Sequence, residues 1–239
     1  MSRRISTFCD NCLWVNFHRI IISIYIFEDI TLSKALPDEL QAKFSEIRHQ
    51  ITTRLEHFSQ VKVEQYFYEL CFCICTPQSK AKNAYLVQLA LQNLDFRNKE
   101  FDPTPLLRNP ANYIRFHNQK ARRLLEMREQ YVEIEQVLRS DDSPFNKRRW
   151  LTENLKGFGM KESSHFLRNI GCRDLAILDR HILKHLANCG LYEEIPKLGT
   201  KSRYLEIEKD FKNYAADLNV TIDELDLLFW SYETGEIFK

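Results

Sequence analysis

The sequence predicts an all-α protein. Three observations carry this reading. Apolar residues recur at three- and four-residue steps along most of the chain. No segment alternates apolar and polar residues as a half-buried strand does. The 239 residues hold only six glycines and seven prolines, which suits helices joined by short loops. With 44% hydrophobic and 28% charged residues, the chain has ordinary globular make-up and is long enough to bury a substantial core. No period of about 20–50 residues is present, so a solenoid is excluded.

Residues 1–34 stand apart from the rest of the chain. "CLWVNFHRIIISIYIF" is apolar but carries Asn16, His18 and Arg19. Its uninterrupted part is far shorter than the ~20 residues a membrane-spanning helix needs. No small-residue cleavage site comes after it. We read 1–34 as an extension of unknown role or a start-codon artefact, and 35–239 as the functional core. Cys9 and Cys12 form a lone C-x-x-C, a weak metal signal without a second pair. The odd total of seven cysteines, with Cys71, Cys73 and Cys75 inside an apolar run, reads as reduced buried thiols. An intracellular protein, cytoplasmic or nucleoid-associated and without a membrane partner, is expected.

The core opens with a helix carrying Leu40, Phe44, Ile47, Ile51 and Leu55 at helical spacing. "VEQYFYELCFCICT" is apolar almost all round and suits a central buried helix or a core strand; its helical neighbours favour helix. "TPQS" breaks the chain before a helix over 79–94. Pro103, Pro105 and Pro110 mark a loop. One helical face then runs through Ala121, Leu124, Leu125, Tyr131 and Ile134. A short basic helix over 145–155 carries Lys147, Arg148 and Arg149. A helix over 160–170 comes next, ended by Gly171. Asp179 stands as an N-cap ahead of "RHILKHL". Helices over 203–217 and 222–234 close the chain, the second opened by Thr221 and Glu224 in capping-box spacing.

"LKGFGMK" between two helices is a helix-hairpin-helix. Gly157 and Gly159 permit unusual backbone angles and leave the rim bare, while Phe158 points inward and pins the helices. Exposed N–H groups and a helix N-terminus there suit an anion. A phosphodiester fits, because backbone contacts require no base identity. The net charge is only +1, so a nucleic-acid surface has to be local. Lys147, Arg148, Arg149, Arg115 and Lys120 are the cations expected to meet phosphates. His165 and Arg168 lie near the hairpin and suit either DNA contact or a solvated face.

"LKGFGMKESSHFLRNIG" with "DLAILDRHIL" resembles the helix-hairpin-helix, Gly/Pro-rich loop and aspartate signature of DNA base-excision glycosylases. It departs from that signature in having no proline between Gly171 and Asp179. Together with "ELCFCICTPQSKAKNA" and the ending "ETGEIFK", the chain is similar to the archaeal-type 8-oxoguanine DNA glycosylase/AP lyases from about Pro37 onward. The resemblance implies a two-lobed helical fold with the active-site cleft between its lobes. It also implies a bifunctional base-excision repair enzyme acting as a monomer on double-stranded DNA that contains 8-oxoguanine.

Such a reaction breaks a C1′–N9 bond as positive charge grows on the sugar. An ionised carboxylate nearby stabilises that charge, a role for Asp179. An amine that attacks C1′ forms a Schiff base and permits β-elimination of the 3′ phosphate. Lys161, eighteen residues before Asp179, is that amine, at a helix start whose positive end favours a neutral amine. The base must be flipped out of the stack. Trp230 is its platform and Phe116 the opposing face. The resemblance implies that the terminal Lys239 helps to distinguish the lesion from guanine, with Ile237 and Phe238 docking the tail beside Trp230. Gln78, Ser79 and Lys80 are candidates to contact the opened duplex, with Ser79 or Thr76 otherwise serving as an N-cap. Gly157, Phe158, Gly159 and Arg149 complete the expected DNA surface. Cys172 and Cys189 stand alone, so no iron–sulfur cluster is expected, and the chemistry requires no metal or other cofactor. Two alternatives remain open: a glycosylase of the same superfamily for another damaged base, and a non-catalytic helix-hairpin-helix DNA-binding module.

Overall fold

The computed structural model describes residues 35–239. The readings of 12–27 and of Cys9 and Cys12 lie outside the described residues. Eleven α-helices are present among them: α1 (Asp38–Ser59), α2 (Val63–Cys75), α3 (Ala81–Asn93), α4 (Thr104–Arg108), α5 (His117–Glu129), α6 (Tyr131–Arg139), α7 (Pro144–Asn154), α8 (Met160–Asn169), α9 (Arg180–Asn188), α10 (Lys201–Asp217) and α11 (Ile222–Thr234). No strand occurs among the described residues.

The helices form two lobes, each with its own core. The first gathers Phe67, Leu70 and Phe72 of α2, Val87 and Leu91 of α3, Leu124 of α5 and Phe166 and Leu167 of α8. The second gathers Phe44, Ile47 and Ile51 of α1, Leu186 of α9, Phe211 of α10 and Leu228 and Phe229 of α11. Each fully buried side chain of this size stabilises the fold by about 1.5–3 kcal/mol. Three segments pass between the cores. Helix α8 buries Phe166 in the first core while Met160 packs on the second. Leu175 belongs to the first core and Ala176 to the second. In the C-terminal tail, Ile237 packs on the second core and Phe238 on the first.

The local signals are used largely as expected. Leu40, Phe44, Ile47, Ile51 and Leu55 all face inward, and "VEQYFYELCFCIC" is a helix. Thr221 Oγ1 accepts from the Glu224 N–H while Glu224 accepts from the Thr221 N–H, which starts α11. Ser143 caps α7, with Pro144 in its first turn.

Three expectations are corrected. The helical face through Tyr131 is broken at Gln130 into α5 and α6. The proline-rich loop contains α4, because proline is tolerated in a helix's first turn. Neither Thr76 nor Ser79 caps α3; the cap position is Lys80, and Thr76 Oγ1 donates back to the Phe72 carbonyl.

Candidate active site

The hairpin begins where α7 ends. Phe158 N–H donates to the Leu155 carbonyl at 3.1 Å, and Gly157 has φ +92°. A Cβ at Gly157 would also lie 2.7 Å from the Arg123 guanidinium, so conformation and space both favour glycine. Phe158 is buried edge-on to Phe166, with ring centroids 6.2 Å apart. Gly159 is extended and precedes α8; its N–H donates to Glu162 Oε2 at 3.2 Å. Lys161 is therefore the second residue of α8. Its side chain is 33% exposed, and Nζ lies 3.0 Å from Glu162 Oε1. One carboxylate thus serves both the helix start and the lysine.

Asp179 caps α9 as its position predicted. Its Oδ1 accepts from the N–H groups of His181 at 2.8 Å and Ile182 at 2.9 Å. Without a proline, the loop leading to it is held by side chains. Tyr204 donates its hydroxyl to the Ala176 carbonyl at 2.6 Å and accepts from the Leu178 N–H at 3.2 Å. Glu208 accepts from the Ala176 N–H at 2.8 Å and is itself gripped by Arg148 through bonds of 2.6 and 2.7 Å. Asp226 of α11 lies within the field of Asp179. Burial pushes the Asp226 carboxyl up to about 7, Arg168 opposes that rise, and the charge of Asp179 adds to it.

Trp230 is half-buried on α11 and meets the His181 ring edge-on, centroids 5.5 Å apart. That places the tryptophan beside the start of α9, two residues beyond Asp179. Phe116 stands at the start of α5. It is 48% exposed, has φ +59°, and lies under the Arg115 guanidinium.

The terminal Lys239 is docked. Its Nζ lies 2.8 Å from both Glu69 Oε1 and Gln88 Oε1, and it sits over the rings of Phe72 and Tyr85 at 4.5 and 5.0 Å. Phe238 packs on Phe72 and Tyr85 of the first lobe, while Ile237 packs on the second core. His165 is also edge-on to Phe72. Burial, then the cations of Arg168 and Lys161, push its imidazole well below the usual histidine range, with a backbone hydrogen bond to Lys239 opposing them.

Gln78 and Lys80 are exposed, as is Arg149, which donates to Asn146. Ser79 turns inward: its Oγ accepts from the Arg115 N–H and from Lys120. Three expected surface cations are corrected. Lys120 is 2% exposed and donates to the carbonyls of Cys75 and Pro77. Arg148 is 2% exposed in its pair with Glu208. Arg168 is 3% exposed, paired with Asp226 and stacked on Phe58. For Lys120 and Arg148 several acceptors converge on the charge, whereas Arg168 relies on Asp226 and the Phe58 ring. Glu69 and Gln88 were missed as partners of the tail. The available signal was a lone carboxylate inside the apolar run "YELCFCIC". Among the described residues, no cluster of three or more His, Cys, Asp or Glu suits a metal ion, and no helix is long and apolar enough to cross a membrane.

Two helical lobes, a Gly-Phe-Gly hairpin that presents a lysine and an aspartate capping the next helix define a helix-hairpin-helix glycosylase architecture. A sequence model described as 8-oxoguanine DNA glycosylase matches residues 51–220. The chain is 36% identical to an 8-oxoguanine DNA glycosylase/AP lyase of Fusobacterium nucleatum, covering 84% of this chain and 97% of that protein. It is 35% identical to one from Methanocaldococcus jannaschii, over 83% of this chain and 96% of that protein. Among solved structures, it superposes with a TM-score of 0.73 on the M. jannaschii 8-oxoguanine glycosylase/lyase in complex with a 15mer DNA containing 8-oxoguanine. That match is 31% identical and covers 83% of this chain and 98% of that one. The 8-oxoguanine DNA glycosylase of Thermotoga maritima gives 0.74 at 31% identity, covering 84% and 97%. The chain belongs to the 8-oxoguanine DNA glycosylase family.

Proposed function

We propose that the chain excises 8-oxoguanine from DNA and then cleaves the strand 3′ to the abasic site by β-elimination. The observation that carries this reading is that one chain presents Lys161 at the start of α8 behind the hairpin and Asp179, its Oδ1 fixed by two N–H groups, at the start of α9. Lys161 leaves Glu162, gives up a proton to solvent and attacks C1′. The C1′–N9 bond breaks, its electron pair goes to the base, and the base takes up a proton. Asp179, fixed at a helix N-terminus, stabilises the cationic sugar. The sugar ring opens to a Schiff base on Lys161. Loss of a C2′ proton then expels the 3′ phosphate.

Base choice is assigned to the tail. 8-Oxoguanine carries a proton on N7, where guanine has an acceptor. The Lys239 ammonium is already committed to Glu69 and Gln88. The tail so held is left to accept from that N7–H through its backbone oxygens. Guanine there leaves a buried acceptor facing another, at a cost of ~1–3 kcal/mol. Trp230 supplies the stacking platform from the second lobe.

The test is borohydride trapping on a duplex containing 8-oxoguanine, with the wild-type chain and with Lys161→Gln. The wild type should form a covalent adduct and nick the strand. Lys161→Gln should keep its melting temperature and DNA binding and lose both products. A trapped adduct at wild-type level in Lys161→Gln would remove Lys161 from the mechanism.

A further inference from the structure

Lys120 has no role in the chemistry above, and its burial makes it the most unusual lysine in the fold. Its side chain is among the largest fully buried ones, at 2% exposure. Nζ donates to the Cys75 carbonyl at 2.7 Å, the Pro77 carbonyl at 2.6 Å and Ser79 Oγ at 3.2 Å. These three bonds use every donor the ammonium has. The Cys75 carbonyl is one that α2 leaves unpaired at its C-terminus, the negative end of the helix. Among the described residues, no carboxylate pairs with Lys120, and burial lowers it to about 8.

The bonds join two segments far apart in sequence. Ser79 Oγ, bound by Lys120, also accepts from the Arg115 N–H at 3.0 Å. Asn83 Nδ2 adds a bond to the Tyr113 carbonyl at 3.1 Å. One residue from Ser79 lies Gln78, with φ +56°; one residue from Arg115 lies Phe116, with φ +59°. Both are exposed, and both hold a left-handed conformation that non-glycine residues adopt only when their surroundings impose it. Neither side chain is buried to offset that conformation. The bonds to Pro77 and Ser79 flank the first of them, and the bond between Ser79 and Arg115 flanks the second. The face so held carries an amide, an aromatic ring and the cations Lys80 and Arg115, the groups that meet unstacked bases and phosphates.

We propose that Lys120 is a positioning residue that ties the loop of Gln78 to the turn of Phe116, making one rigid two-pronged element that holds the duplex open around the extruded base. This rests on the proposed glycosylase function. Lys120 touches no substrate; it acts through the two segments it joins.

The test uses the full chain, with Lys120→Met, which keeps volume and removes the ammonium, and Ser79→Ala, which removes only the shared acceptor. Duplex opening is read as the fluorescence rise of 2-aminopurine placed next to 8-oxoguanine. Excision is read in single turnover, and strand cleavage at a preformed abasic site in single-stranded DNA serves as the comparison. Both variants should lose about ten-fold or more in duplex excision and most of the fluorescence rise, with a loss of under about three-fold on the single strand. Equal losses on both substrates, matching the unfolded fraction, would make Lys120 merely structural. Wild-type opening and excision in both variants would also overturn the tie while leaving the glycosylase function standing. If the wild-type chain itself leaves 8-oxoguanine in place, the proposed function falls first. The fluorescence rise still decides the tie, since opening of the duplex precedes chemistry.

Discussion

The Lys239 ammonium lies 2.8 Å from Glu69 Oε1, joining the last residue of the chain to the middle of a buried helix. Glu69 is 7% exposed and also accepts from Gln88 Nε2 at 2.8 Å. A tail that ends on such a pair is fixed in position, which a base-reading group requires. Replacing Glu69 with alanine leaves the ammonium without its carboxylate, so the tail should release. Excision of 8-oxoguanine should then fall by about ten-fold or more, the equivalent of ~1–3 kcal/mol. Cleavage at a preformed abasic site should fall less. Deleting Lys239, or extending the chain with a tag, should give the same split. Equal loss of both activities would refute the assignment.

Asp179→Asn should separate capping from catalysis. Asparagine caps helices about as well as aspartate, so the melting temperature should stay close to wild type. Base excision should slow by ~10²–10³ because the charge facing the sugar is gone. Normal activity per folded molecule would leave Asp179 as a cap only.

DNA affinity should fall with salt through a small set of cations. Arg149, Arg115 and Lys80 are exposed. Arg149→Ala should make the slope of log K against log salt shallower by about 0.9. Arg148→Ala, one residue away, should leave the slope alone and instead lower stability by about 3–5 kcal/mol, because Glu208 is left buried without its partner. Denaturant titration together with filter binding at two salt concentrations distinguishes the two. A shallower slope in Arg148→Ala would contradict its inward placement.

His165 should make the fold acid-sensitive. Its imidazole is held well below 6.5 in the folded chain by burial and then by Arg168 and Lys161. Below that value the unfolded chain binds a proton that the folded chain refuses. Unfolding is therefore favoured as pH falls, and the stability is fully present above 6.5. Between about pH 7.5 and about pH 5 the wild type should lose more stability than His165→Leu, read from urea midpoints. Equal losses would mean that His165 does not titrate differently on folding.

Features that depend on near neighbours were legible in the sequence. Helical spacing set the inward faces of α1 and α2, and capping chemistry set the start of α11 at Thr221 and of α9 at Asp179. The Gly-Phe-Gly hairpin placed Lys161 at the start of α8. These features arise from hydrogen bonds and steric limits spanning a few residues, so a local pattern suffices to find them. Only the tertiary structure decided the fate of long charged side chains. Lys120 lies on a helix of largely polar sequence, yet its acceptors come from residues 41 to 45 positions away. Arg148 is a neighbour of exposed Arg149, yet its partner Glu208 lies 60 residues on. Glu69 meets Lys239 across 170 residues. A charge is buried only where partners converge to replace its water, and that convergence is a property of packed helices, which no local spacing encodes.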